Sequence, residues 1–209
     1  MAIVEVLAVG PLGCNMVIIA DPETMEAVLV DPGGDPERII SLINSKGYII
    51  KQILITHAHL DHILATAEVK EHTSAPVFYH EGDRQLWLSL PLQCMFLGLP
   101  SPNKTLKPPE NALQDGEELL VRGGRCLYTP GHTQGSCCFY FPNDSVLVSG
   151  DTLFCGSIGR TDLPGGSYEQ IMESLRSKIL NLPDDTRVIT GHGEETTIGS
   201  EKAQNPFLK

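Results

Sequence analysis

Thr56-His57-Ala58-His59-Leu60-Asp61-His62 constrains this chain more than any other stretch. Three imidazoles and a carboxylate fall within six residues, directly behind the apolar run Ile49-Ile50-Lys51-Gln52-Ile53-Leu54-Ile55. An apolar run of this length reads as a buried strand. A strand that stops short can aim the side chains of the following loop at one point, and imidazole and carboxylate are the usual nitrogen and oxygen ligands of zinc and its neighbours. The segment therefore asks for a metal, and the rest of the chain has to bring further ligands to the same place.

Three later segments are built to do so. Tyr128-Thr129-Pro130-Gly131-His132, Val146-Leu147-Val148-Ser149-Gly150-Asp151 and Val188-Ile189-Thr190-Gly191-His192 each run from an apolar strand through a glycine to a ligand type. Glycine there lets the backbone turn tightly and approach the centre without a side chain in the way. Five of the seven histidines lie at such strand ends, leaving only His72 and His80 elsewhere.

Taken in order, residues 2–9, 16–20 and 27–31 are aliphatic and separated by Gly10-Pro11-Leu12-Gly13 and Asp21-Pro22-Glu23, which predicts an antiparallel meander. Asp35 as N-cap and Pro36 in the first turn open a helix that Gly47 stops at about Lys46. After His62, the spacing of Ile63, Leu64, Ala67 and Val69 is helical and puts Asp61 near a helix N-terminus, where backbone amides favour negative charge. A short strand at 76–79 and a helical stretch from Asp83 to about Leu97, kinked at Pro91, follow. Residues 100–109 hold four prolines and read as a surface loop between halves. The second half predicts strands near 117–121, 125–129, 136–141 and 145–149, a helix around 168–181 capped by Ser167, and a strand at 187–190. Strand-rich segments interrupted by helices in each half imply two packed sheets with helices outside, an α+β four-layer αββα sandwich.

Composition narrows the function. A chain of 209 residues that is 41% hydrophobic suits one globular domain over residues 1–209. The net charge of −11 argues against nucleic acid or an anionic membrane as partner and leaves small molecules. No run reaches the roughly 20 apolar residues of a membrane span, and a basic secretory start is missing because the first Lys or Arg is Arg38. Six cysteines lack a Cys-x-x-Cys pair, and most read as reduced core residues in a cytoplasmic-type compartment. Cys155, four residues after Asp151, reads as a packed loop thiol rather than a nucleophile.

His-x-His-x-Asp-His, Pro-Gly-His-Thr, Ser-Gly-Asp-Thr-Leu-Phe and Gly-His-Gly, in this order, resemble the metallo-β-lactamase superfamily. Gly156-Ser157-Ile158-Gly159-Arg160-Thr161-Asp162 and Asn205-Pro206-Phe207-Leu208 resemble its short, single-domain glyoxalase II-like (hydroxyacylglutathione hydrolase-like) members. The resemblance spans essentially the whole chain. It implies a dinuclear site in which His57, His59 and His132 bind one ion, Asp61, His62 and His192 bind the other, and Asp151 bridges them. Asp61 and Asp151 would then be the catalytic carboxylates, and Arg160 would contact a substrate carboxylate or thioester oxygen, the alternative being a salt bridge to Asp162. Zinc is the expected metal, with iron and manganese as alternatives.

Two such ions can hold a hydroxide at neutral pH and polarise a carbonyl. The implied reaction is hydrolysis of S-D-lactoylglutathione to D-lactate and glutathione, a step of methylglyoxal detoxification. No Gly-x-Ser-x-Gly elbow, phosphate loop or His-Glu-x-x-His helix competes for the chemistry. The helical domain with which two-domain glyoxalase II enzymes hold glutathione is expected to be absent, so the glutathione moiety is the least specified part of the substrate. Persulfide dioxygenases share the fold and the early motif but use one iron, on residues matching His57, His132 and Asp151. Glutathione persulfide oxidation is therefore the alternative reading. Oligomeric state is not legible.

Overall fold

In the computed structural model, which describes residues 1–102, 104 and 107–209, the aliphatic runs become strands. β1 (Ile3–Val9), β2 (Cys14–Ala20) and β3 (Glu26–Val30) form the expected antiparallel meander. Helix α1 (Pro36–Lys46) then crosses over, so that β4 (Ile49–Leu54) lies parallel to β3. The sheet continues in parallel through β5 (Val77–Tyr79) and β6 (Asn111–Ala112).

Gly47 closes α1 as expected, at φ 74° with its N–H donated to Ile43 O. Asp35, by contrast, is not a side-chain cap. Its φ of 48° turns it away from the first-turn amides, and its carboxylate instead accepts from Gly10 N at 3.1 Å and pairs with Arg38.

The helix predicted after His62 is two pieces, α2 (Leu60–Ile63) and α3 (Thr66–Thr73). Ala65 N–H is donated to Pro32 O at 2.9 Å instead of continuing the helical ladder. The next stretch also divides, into α4 (Arg84–Leu88) and α5 (Leu90–Phe96). The break falls at Ser89, so Pro91 sits in a first turn where its missing N–H costs nothing. In the 100–109 loop, Asn103, Thr105 and Leu106 lie outside the described residues, and Lys104 pairs with Glu71.

The second sheet contains β7 (Arg125–Tyr128), β8 (Cys137–Phe141) and β9 (Val146–Gly150). The small hairpin β10 (Leu153–Phe154) and β11 (Ser157–Ile158) and helix α6 (Tyr168–Ser174) come next. β12 (Arg187–Thr190) and β13 (Thr196–Thr197) complete the order β13-β12-β9-β8-β7. Residues 117–121 are not a strand. Glu118 makes one isolated bridge to Arg125, and Leu120 N–H is taken by the Gln52 side chain, which leaves no ladder to extend. Ser167 Oγ caps α6 by accepting from Gln170 N, and the helix passes into a π-type turn over Leu175–Ile179. The terminal helix α7 (Ile198–Gln204) was not foreseen.

Strand alternation sorts the core into three layers. Met16, Ile18 and Ala20 pack with Ile39, Ile43 and Val69 under the first helices. Val17, Ile19, Val28, Val30 and Leu54 meet Phe139, Phe141, Val146, Val148 and Ile189 between the sheets. Leu147 and Val188 face Ile171, Leu175, Ile179 and Ile198 on the far side. Burial of each Val, Leu, Ile, Met or Phe side chain among these is worth about 1.5–3 kcal/mol. The result is the αββα sandwich, with the strand-end loops of both sheets at one edge.

Candidate metal centre

That edge is where the motifs converge. His57 and His59 leave β4, Asp61 and His62 lie in the single turn of α2, and His132, Asp151 and His192 follow β7, β9 and β12. Main-chain bonds tie the sheets together here, from Cys137 N to Thr56 O and from Asn15 N to Gly191 O, each 2.8 Å. Gly191 has no alternative, because a Cβ there would lie 2.1 Å from Asp151 Oδ1.

The seven side chains fall into two groups with one residue between them. His57, His59 and His132 have ring centroids 4.7–4.8 Å apart, and His59 Nδ1 is 2.9 Å from His132 Nε2. In the other group, Asp61 Oδ2 lies 3.0 Å from His192 Nε2 and 3.6 Å from His62 Nε2. Asp151 serves both: Oδ2 is 3.6 Å from His132 Nε2, while Oδ1 is 3.4 Å from His62 Nε2 and 3.8 Å from His192 Nε2.

The donors suit cations. Among the described residues six buried side-chain polar atoms lack a hydrogen-bond partner, a rare state, and three of them, His57 Nε2, His62 Nε2 and Asp151 Oδ1, meet in this cluster. The ring tautomers are fixed from behind. His57 Nδ1 donates to Thr56 Oγ1 at 3.1 Å, and that hydroxyl donates to Asp31 Oδ2 at 2.6 Å. His62 Nδ1 donates to the same Asp31 oxygen at 2.9 Å, His132 Nδ1 to Arg160 O at 2.8 Å and His192 Nδ1 to Leu12 O at 3.2 Å. Each of these four rings keeps its Nε2 lone pair for the cluster. Among the described residues four groups of three lie within one ion's reach: His57/His59/His132, Asp61/His62/His192, His57/His62/Asp151 and, behind His62, Cys14/Asp31/His62.

The electrostatics agree. Burial, then the neighbouring imidazoles, holds His57 well below the ordinary histidine range, and burial, then His132, brings His59 down to about 4, so both are neutral ligands near pH 7. Burial opposes charge on Asp61 and Asp151, but His62 foremost, with its fellow imidazoles, overrides it and holds both carboxyls below the usual range. Around His62 burial is itself overridden by Cys14, Asp151, Asp31 and Asp61, which raise its affinity for a proton. The same field attracts a divalent cation.

The Metallo-beta-lactamase superfamily model matches residues 9–192. The chain belongs to the metallo-β-lactamase superfamily. Hydroxyacylglutathione hydrolase GloC of Haemophilus influenzae is 41% identical over 208 residues, covering 98% of this chain and 97% of that one. The crystal structure of BLEG-1 B3 metallo-β-lactamase matches with TM-score 0.91 at 39% identity, over 99% of both chains. That of TTHA1623 in a di-iron-bound form matches with TM-score 0.90 at 40% identity, over 98% of this chain and all of the other at 100%. The chain is thus a metallo-hydrolase of this superfamily.

Among the described residues no hydrogen bond or ion pair joins the Arg160 guanidinium to the seven residues. It makes two 2.7 Å bonds to Asp162 in a pair that is mostly exposed, while its main-chain oxygen orients His132. Five cysteines are buried free thiols, but Cys155 is exposed rather than packed, because it sits in the turn between β10 and β11. Burial pushes the Cys14 thiol, 3.4 Å from His62 Nδ1, up to about 11. Sequence reasoning missed Asp31, whose Asp-Pro-Gly-Gly setting reads as a turn. The available signal was its position, an acid directly behind an apolar strand, although its glycines follow it whereas in the other three segments the glycine comes first.

Proposed function

We propose that this chain hydrolyses a small thioester, S-D-lactoylglutathione, to D-lactate and glutathione, with His57, His59 and His132 holding one divalent ion, Asp61, His62 and His192 a second, and Asp151 shared. The observation that carries the reading is Asp151, whose two oxygens face opposite groups of imidazoles. A relative at 41% identity named hydroxyacylglutathione hydrolase supports the substrate class. Because the ligands come from both sheets, neither half can make the site alone, and residues 1–209 act as one domain. The buried free thiols are in keeping with a reducing, cytoplasmic-type setting.

Divalent ions in this site would supply Lewis acidity toward the thioester carbonyl and would bring the pKa of water toward neutrality. The carboxylates of Asp61 and Asp151, held ionised by the imidazoles, accept hydrogen bonds from the attacking water and orient it. Four of the five histidines have already committed Nδ1 to a fixed acceptor, so they bind and do not shuttle protons. Water adds to the carbonyl carbon, the C–S bond breaks, and the two products are a carboxylate and a thiol. Arg160 lies in the segment whose main-chain oxygen orients His132, and among the described residues its guanidinium is tied only to the exposed Asp162. Exchange of that partner for a substrate carboxylate is cheap, because exposed ion pairs contribute little.

The test is a metal count on purified protein with three parallel assays: thioester hydrolysis, oxygen uptake with glutathione persulfide, and β-lactam opening. Two ions per chain with thioester turnover and no oxygen uptake are expected. One iron per chain with oxygen consumption and no hydrolysis overturns the reading in favour of persulfide oxidation. β-lactam opening in place of thioester turnover overturns the substrate class alone.

A further inference from the structure

Asp83 belongs to neither group of ligands, yet it touches the main chain around both halves of the histidine triad. It is buried at the turn before α4, and every hydrogen bond its carboxylate accepts comes from a ligand segment. Oδ2 takes Ala58 N–H at 2.9 Å and the Thr133 hydroxyl at 2.8 Å, and Oδ1 takes Gly135 N–H at 2.7 Å. Ala58 lies between His57 and His59, and Thr133 follows His132. Among the described residues no main-chain hydrogen bond runs directly between 57–60 and 131–135. Just outside those limits Cys137 N–H is donated to Thr56 O, and His59 Nδ1 lies 2.9 Å from His132 Nε2, but the peptides that carry the triad are linked to one another through this side chain.

The junction is close-packed. A Cβ on Gly135 would lie 2.5 Å from Asp83 Cγ, and one on Gly82 would lie 2.4 Å from Gln134 O, so neither water nor a longer side chain can substitute for the carboxylate. Gln93 of α5 completes the clamp from the other side. Its Oε1 accepts from Leu60 N at 2.9 Å and its Nε2 donates to Ala58 O at 3.2 Å, so the peptides flanking His59 are held by side chains.

We propose that Asp83 is the positioning residue of the histidine triad: its carboxylate sets the His57–His59 segment against the His132 segment and so forms the first of the two ion positions. The inference rests on the two-ion reading of the site. Asp83 makes no bond to Asp61, His62 or His192, and Asp31 serves His62 instead. Loss of Asp83 is therefore selective. Its amide variant keeps the volume but turns a donor toward a donor.

The experiment compares the full-length wild-type chain with Asp83→Asn, titrated with zinc against a chromophoric chelator and with cobalt(II) followed by visible absorption. Second-sphere changes of this kind weaken a metal site roughly 10- to 100-fold. That loss is expected at one position, with the other unchanged within about threefold and an altered cobalt spectrum for the weakened ion only. Thr133→Val removes one of the donors and keeps the charge. It should shift the same position several-fold, and it decides the matter if Asp83→Asn does not fold. Unchanged affinities, or equal losses at both positions, overturn the proposal. A wild-type chain that binds a single ion overturns the two-ion reading, and the comparison then reads on that ion: roughly tenfold weakening upholds the role of Asp83 and no change removes it.

Discussion

At the scale of single residues, Asp31 carries more of the site than any ligand does. Its carboxylate accepts from Thr56 N at 2.7 Å, Thr56 Oγ1 at 2.6 Å and His62 Nδ1 at 2.9 Å, and through Thr56 it fixes His57 as well. Asp31→Ala would strand these donors in a place that is 1% exposed. Each unpaired buried donor costs about 1–3 kcal/mol, so the metal-free variant should be less stable by about 3 kcal/mol or more in urea unfolding. Asp31→Asn should lose less, since one acceptor oxygen remains. Arg160→Ala belongs at this scale too. With the guanidinium gone, KM for an acidic thioester should rise about tenfold with kcat within twofold, as expected for lost uniform binding; unchanged kinetics would remove Arg160 from the substrate. The seven cluster residues were legible in the sequence because their chemistry resides in residue type and in a repeated strand-glycine setting. Asp31, Asp83 and Gln93 were not, because what they do is defined by partners 25 to 52 positions away. An acid before Pro-Gly or a glutamine in a helix looks like any surface residue.

At the scale of elements, the site depends on how strands end, and glycines separate site from scaffold. Gly191→Ala would place a methyl 2.1 Å from Asp151 Oδ1 and push that carboxylate off its shared position. Bound metal measured by emission spectrometry should fall toward half or less, and thioester turnover should fall at least tenfold. Gly47→Ala meets nothing within 4 Å and strains only the left-handed C-cap of α1, so it should cost about 1 kcal/mol in stability and leave turnover unchanged. The contrast explains what the sequence showed of the fold. Long aliphatic strands and helices with terminal Pro or Gly were readable because local forces decide them. The segment 117–121 has strand composition but gives an amide to Gln52, a tertiary contact with no local trace. Helix α7 was hidden for a similar reason: Glu201 reads as solvent-facing, yet it is buried and accepts from Gly156 N, Thr196 Oγ1 and Asn205 Nδ2.

At the scale of the whole molecule, the proposed ion positions would join layers that otherwise meet at this edge through the apolar centre and a few hydrogen bonds, such as Cys137 N to Thr56 O and Asn15 N to Gly191 O. Ligands come from the ends of β4 and α2 on one sheet and of β7, β9 and β12 on the other, so the bound state cross-links the sandwich. Without cations, Asp61 and Asp151, already counted in the net charge of −11, are partly buried charges balanced by imidazoles. An ion that binds only the folded chain stabilises it by about 2.7 kcal/mol at a free concentration 100 times its Kd. Two ions would contribute about 5 kcal/mol, and for a domain of this size each kcal/mol moves Tm by roughly 2–4 °C. Calorimetry of the zinc-loaded protein against the same protein in excess chelator should therefore show a fall of about 10–20 °C. The fall should be restored by adding zinc back and should be about halved in His192→Ala, which removes a donor from one group only. A fall of less than about 3 °C would mean that the sheets hold this edge together unaided, and that the cluster is preorganised by Asp31 and its neighbours before any ion arrives.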